Sequence, residues 1–266
     1  MRSIASGRKF AFIFIIALTT FIPCFAYDQA ASARNLTYIT EQFPPYNFEE
    51  DGVLQGISVD VLERVWDIMG ADLNSSIIEI LPWSEGYQRA LEQNDSLLFC
   101  TARSPEREEL FKWAGPVGSL RFVLLAKTKE NISITGPEEL EALKIGAVEE
   151  DMAVQMLLDE GVRMEDISVE KTSEPIVDML KNGSIDAWAS NEITGLWEIQ
   201  ESGENASDYE AVYVLGDGHA YFAFNKAVQD TLVQSFQQAI DQVMSHEGDD
   251  GITDYQRIVA KYIPTS

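Results

Sequence analysis

Apolar residues fall in short runs separated by amphipathic stretches, and the two alternate along most of the chain. The runs at Leu36–Thr40, Ile77–Leu81, 97–101 and Phe122–Ala126 are the length of buried strands and are bounded by turn residues. Between the first two, Ile57–Gly70 places Val61, Leu62, Val65, Trp66 and Met69 on one side of a helix, with Gly70 as its stop. Tyr87–Gln93 reads as a shorter helix. Ser104-Pro105-Glu106 combines an N-cap serine, a proline at the first helical position and an acid in the first turn, which predicts a helix over 105–111. Strand–helix alternation of this kind gives a mostly parallel sheet covered by helices.

Past Lys127 the pattern restarts. It predicts a short helix over Glu138–Ala142, a strand over Leu143–Val148 and a helix through Asp159. A strand at Ile167–Lys171, a helix from Ser173 to Asn182, a strand at Ile185–Ala189, a helix from Asn191 toward Glu201 and a strand at Tyr209–Leu215 complete a second α/β unit. Gly216 and Gly218 read as punctuation before a strand at Tyr221–Asn225, which two amphipathic helices follow, Ala227 to about His246 and Thr253–Ile263.

In an open parallel sheet, ligands gather at the carboxyl ends of the strands. The loops expected there carry Phe43 and Tyr46 around Pro44-Pro45, Trp83, and the pair Arg103 and Arg107. Aromatic walls with a guanidinium beside a helix N-terminus suit a small molecule bearing a carboxylate. The competing fates are core packing for the rings and surface pairing of the arginines with Glu106, Glu108 or Glu109.

Composition narrows this further. Apolar residues make up 45% of the 266, enough for a substantial core. Lys+Arg is 19 against Asp+Glu 44, a net charge of −25, which argues against a nucleic-acid partner. Arg2, Arg8 and Lys9 precede an apolar run from Phe10 to Ile22, so residues 1–26 are expected to be a signal peptide or N-terminal anchor. A lipidated Cys24 is a minor alternative. Its removal would leave Cys100 alone and exclude an internal disulfide. His219 and His246 stand apart, and no metal-ligand spacing, phosphate loop or nucleophile elbow occurs, so no metal and no cofactor is expected.

Four blocks carry a family resemblance: FPPYNFEEDGVLQGISVDVLERVWDIMG from Phe43, LPWSEGYQRALEQNDSLLFCTARSPEREELFKWAGP from Leu81, LKIGAVEED from Leu143, and IVDMLKNGSIDAWASNE from Ile176. The sequence resembles the extracellular solute-binding proteins of family 3, the amino-acid-type substrate-binding components of ABC importers. The resemblance implies a two-lobed α/β clamshell of the type II periplasmic-binding-protein kind. Lobe 1 would be residues 34–121 plus 219–266 and lobe 2 residues 122–218, with two crossing hinge strands near Phe122–Lys127 and Tyr221–Asn225. It implies a monomer outside the cytoplasm that hands a small carboxylate-bearing solute to a membrane permease. By the same resemblance Arg107 would hold the ligand's carboxylate, Thr101 would be a donor beside it, and Arg103 would add a charge. Two positions depart from the family pattern. Asn191 stands where an acid usually receives the ammonium, and Asp151-Met152 replaces a hydroxyl-bearing turn, so Asp151 could receive an amine instead. Trp188 joins the expected lining. An enzyme on the same scaffold, such as a cyclohexadienyl-type dehydratase using Asp151 or Glu192, and a sensory binding protein are the alternatives.

Overall fold

The computed structural model describes residues 24–263. The expected leader lies outside these except for its last three residues, which open helix α1 (Cys24–Ala33). There follow β1 (Thr37–Thr40), the hairpin β2 (Phe48–Glu50) and β3 (Val53–Gln55), α2 (Ile57–Met69), β4 (Glu79–Ile80), α3 (Trp83–Glu92), β5 (Ser96–Ala102) and β6 (Phe111–Lys127). The chain continues through β7 (Ile145–Val148), α4 (Met152–Asp159), β8 (Ile167–Glu170), α5 (Ser173–Asn182), β9 (Ala187–Asn191), α6 (Glu192–Glu201), β10 (Tyr209–Asn225), α7 (Asp230–Ser245) and α8 (Asp254–Tyr262).

One eight-stranded sheet runs through the molecule in the order β4-β1-β5-β10-β6-β9-β7-β8. At one end β4, β1 and β5 are parallel, and at the other β9, β7 and β8 are parallel. Between them β6 and β10, 17 residues each, pair antiparallel from Phe111↔Asn225 to Lys127↔Tyr209. These two strands pass from one lobe into the other. β10 pairs with β5 through Ala220–Phe224, and β6 pairs with β9 through Phe122–Leu125.

Each lobe buries its own apolar face. In the first, α2 packs on α7, and Trp66 meets Tyr38 edge-on at 4.7 Å between ring centroids, both fully buried. Phe236 of α7 meets Phe224 and Phe222 of β10 edge-on. Edge-to-face pairs add about 0.5–1.5 kcal/mol each beyond the area they bury. In the second lobe, Ile176, Val177 and Leu180 of α5 and Ile199 of α6 cluster with Trp188, Val123 and Leu125 of the sheet. Helix α2 ends where its pattern predicts, with Gly70 left-handed and its N–H bonded to the Asp67 and Trp66 carbonyls.

Three expected elements differ. The helix over 105–111 is instead a pair of turns, Arg107 N–H to Ser104 C=O at 3.2 Å and Leu110 N–H to Arg107 C=O at 3.0 Å. So short a segment closes too few helical bonds to offset nucleation, while Phe111 gains a ladder partner in Asn225. The strands expected at Tyr209–Leu215 and Tyr221–Asn225 are one strand, β10. Gly216 and Gly218 lie within it, beside a register shift between Val214 and Gly216, and mark a bulge rather than a break.

The loop 43–47 is fixed by α2. Gly56, the residue before that helix, supplies no side-chain cap. Instead, the Ile57 N–H donates to Pro45 C=O at 3.0 Å and the Ser58 N–H to Tyr46 C=O at 2.7 Å, so the loop satisfies otherwise orphaned helix donors. This close approach needs glycine: Gly56 has φ +128°, and a Cβ there would overlap the Tyr46 carbonyl. Gly56→Ala is therefore expected to cost on the order of 1–3 kcal/mol and to lower the thermal midpoint by several degrees. An unchanged midpoint would refute this account of the loop.

Candidate functional site

The carboxyl ends of β1, β5 and β7 and the start of α3 and α4 converge on a cleft between the lobes. The chain leaves β1 through Glu41, Gln42 and Phe43. Phe43 N–H donates to Asn47 C=O at 2.7 Å, and Asn47 Nδ2 donates to Glu41 C=O at 2.8 Å, so the two residues facing the cleft sit on a closed loop. Trp83 opens α3 and Arg107 sits in the turn after β5.

Both reach across to the second lobe at one atom. The Glu150 carbonyl accepts from Trp83 Nε1 at 2.8 Å and from Arg107 Nη2 at 2.7 Å. Arg107 is 7% exposed; its Nη1 donates to Ala102 C=O at 3.2 Å. Its guanidinium carbon lies 5.2 Å from each of the Trp83 and Tyr87 ring centroids, so it is stacked as well as bonded. Glu150 has φ +60°, a left-handed conformation uncommon outside glycine and asparagine. Beside it, Asp151 caps α4, its Oδ1 accepting from Ala153 N–H at 2.7 Å.

Next to this contact is a cavity of about 240 Å³, walled by Phe43 and Trp83 from one lobe and Trp188, Ala189 and Ser190 from the other. Three carboxyl groups line it: Glu41, Asp151 and Glu198. None of the ion pairs among the described residues involves any of the three. Burial raises Glu41 well above the usual carboxylate range, Asp151 and Glu198 push it further, and Arg107 opposes them. Burial also raises Asp151, against the Ala153 N–H and Arg107. Glu198 is pushed up to about 7 by burial, against a hydrogen bond from Ser173 and with a further push from Glu174. On its cleft side Arg107 borders a space of only about 10 Å³, walled by Cys100, Ala102, Met152 and Phe122 among others, and with Tyr87, Glu106 and Glu150 it borders a separate cavity of about 230 Å³; the first is the one beside the aromatic walls. The first has room for about one water. Burial pushes the Cys100 thiol up to about 12, so it is an inert wall.

Of the residues expected in the site, Phe43, Trp83, Arg107, Asp151, Met152 and Trp188 come together here. Four stand elsewhere. Tyr46 is buried in the first lobe, stacked on Phe43 at 5.5 Å, with its hydroxyl donating to Ser119 C=O at 2.8 Å. Thr101 is fully buried and donates to Leu98 C=O at 3.2 Å. Arg103 faces outward, held by Glu108 at 2.6 Å over the rings of Trp113 and Tyr221. Asn191 caps α6, accepting from the Thr194 N–H and hydroxyl at 3.2 Å each. Glu192 pairs with Arg121 at 3.0 Å. Sequence reasoning missed Glu41 and Glu198. Glu41 directly follows a parallel strand, and the strand-end rule points to it as plainly as to Phe43. Glu198 lies mid-helix, and nothing in the local pattern separates it from its solvated neighbours.

A two-lobed α/β protein with a ligand-sized cleft across two connecting strands has the type II periplasmic-binding-protein architecture. Residues 36–265 match the bacterial extracellular solute-binding proteins, family 3, and the chain belongs to that family. It is 24% identical over 267 residues to a Campylobacter jejuni protein named "Probable histidine-binding protein", covering 96% of this chain and 98% of the relative. Among solved structures it is similar to an ABC uptake transporter substrate-binding protein from Streptococcus pneumoniae with bound histidine. The TM-score is 0.73 at 18% identity, over 90% of this chain and 96% of that one. An ancestral arginine-binding protein bound to arginine gives a TM-score of 0.69 at 18% identity, over 87% and 99%. A histidine kinase sensor domain shares the fold with a TM-score of 0.70 at 18% identity, over 87% and 97%. Among the described residues no helix is long and apolar enough to cross a membrane.

A carboxyl group with a folded pKa above its unfolded value binds more protons when folded, so its contribution to stability falls as pH rises between the two values. For Glu198 that window runs from 4.5 to about 7. Measured against Glu198→Gln, the wild-type protein is expected to lose thermal stability as pH rises from 5 to 7.5. Parallel melting curves for the two proteins across that range would show that Glu198 is not held in this environment.

Proposed function

We propose that the chain binds a small amino-acid-like solute carrying positive charge in the cleft, outside the cytoplasm, and delivers it as a monomer to an ABC permease. The observation that carries this reading is the set of three half-buried carboxyls outside any ion pair among the described residues, Glu41, Asp151 and Glu198, which outnumber the one lysine, Lys171, in the wall of an aromatic-lined cavity. Carboxylates removed from water without partners are costly, and a cationic ligand offsets that cost directly. The rings of Phe43, Trp83 and Trp188 add apolar area and faces that attract cations. Relatives named for histidine or solved with histidine or arginine support the same class of ligand.

In this reading residues 34–121 plus 219–266 form one jaw and 122–218 the other, and closure on the ligand shifts the population toward the closed form. Arg107 remains the candidate for a ligand carboxylate. In the closed cleft its Nη2 rests on a neutral carbonyl, Glu150. A carboxylate arriving there would make a charge-assisted bond of roughly twice the strength. An enzymatic role has less support: Glu192, one of its two candidate groups, is engaged by Arg121.

A thermal-shift panel tests the reading. At a hundred times Kd a ligand stabilises by about 2.7 kcal/mol, so arginine, lysine or histidine is expected to raise the midpoint by several degrees and glutamate or aspartate to leave it in place. Stabilisation by the acidic amino acids alone would overturn the proposal. Arg107→Ala is expected to remove most of the ligand-induced shift, and an undiminished shift would eliminate the carboxylate clamp.

A further inference from the structure

Beside the first cavity lies a second, of about 610 Å³. The two share Gln42, Thr172, Ser173 and Glu198 in their walls, so Glu198 borders both. Both lobes build the second cavity as well. Phe48 of β2 and Trp197 of α6 touch in its wall, at 5.3 Å between ring centroids. Its remaining lining is strongly acidic, with Glu49, Glu50, Glu174, Asp178 and Glu201. The one basic residue there, Lys181, is spent within its own lobe, its Nζ donating to Ser202 C=O at 3.1 Å and lying 3.9 Å from Asp178. No ion pair among the described residues uses Glu49, Glu50, Glu174 or Glu201.

Two further observations bear on what enters. Small-molecule sites occupy about 300–1,000 Å³; the first cavity falls short of that range, and the second falls within it. The indole N–H of Trp188, 1% exposed and in the wall of the first cavity, has no hydrogen-bond partner in the protein. A buried donor without a partner is rare and costly, and a ligand acceptor that displaced the wall over it would satisfy it.

We propose that the cleft takes an elongated polycation, with its head among Glu41, Asp151 and Trp188 and a second cationic group beyond Glu198, between the Phe48–Trp197 rings and the carboxylates of Glu174 and Glu201. A dibasic dipeptide and a linear polyamine share this chemistry. Only the dipeptide also carries a carboxylate and an amide carbonyl for Arg107 and the Trp188 N–H. The inference rests on the cationic reading of the first cavity and adds length and a second charge to it.

Isothermal titration of the full-length protein with lysine, lysyl-lysine and spermidine, at one salt concentration, tests it. At least one elongated ligand is expected to bind ten-fold or more tightly than lysine, and whichever binds more tightly identifies the source. The double variant Glu174→Gln, Glu201→Gln is expected to lose that advantage while its affinity for lysine stays within two-fold. A control with Glu141→Gln and Glu210→Gln, at exposed positions outside both cavities, is expected to keep it, which separates local recognition from bulk charge. If lysine binds and neither longer ligand exceeds it, or if the Glu174/Glu201 variant keeps the full advantage, this proposal fails and the reading of the first cavity stands. If none of the three ligands binds, both fail.

Discussion

The antiparallel ladder between β6 and β10 holds two parallel half-sheets in a single hydrogen-bonded surface. Each strand is 17 residues long, so one end of each belongs to one lobe and the other end to its partner. Any relative motion of the lobes must therefore bend this pair, and register shifts along it, between Ala211 and Tyr213, Val214 and Gly216, and Ala220 and Phe222, are where regular pairing is already interrupted. A bulge strengthens local twist and loosens the ladder at little cost to its neighbours. The cleft lies across this ribbon, so its width and the ladder's curvature are one variable.

Within the cleft, charge and burial pull against each other. Three carboxyls are drawn out of water and pushed toward their protonated forms, with one guanidinium, Arg107, opposing two of them. That guanidinium is itself committed, lying against both the Trp83 and Tyr87 rings and bonded to two carbonyls. A small part of the chain's acid excess thus lies where it costs most. Surface carboxylates such as Glu79 and Glu108 are paired with arginine and largely hydrated, whereas Glu41 and Glu198 are not paired. In the proposed reading, the missing charge arrives with the ligand.

Much of this was legible in the sequence, and the reasons differ by element. Helix α2 declared itself through its apolar stripe and Gly70, and the parallel strands through their short apolar runs, because burial imposes those periods on the chain. The convergence of Phe43, Trp83 and Arg107 followed from one rule about strand ends. The stretch after β5 misled, since serine, proline and glutamate open a turn as readily as a helix, and only the distance to the next strand decides between them. Thr101 and Asn191 carry ligand-like chemistry that the backbone consumes, one through Leu98 and the other as the cap of α6. Glu198 was invisible because its environment is made by residues from distant segments, Ser173 and Glu174 among them.

The contact that closes the cleft has its acceptor on the main chain. Trp83 and Arg107 both meet the carbonyl of residue 150, not its side chain. Replacing Glu150 with another residue alters charge at the rim but leaves the carbonyl in place, and glycine would hold φ +60° with less strain. Residues that tolerate φ +60° at this position therefore keep the contact, whereas proline or a β-branched residue would move the carbonyl away. On the other side the constraint is chemical: only a side-chain donor at 83 or 107 can reach that oxygen, so one lobe must keep a conformation and the other must keep a functional group.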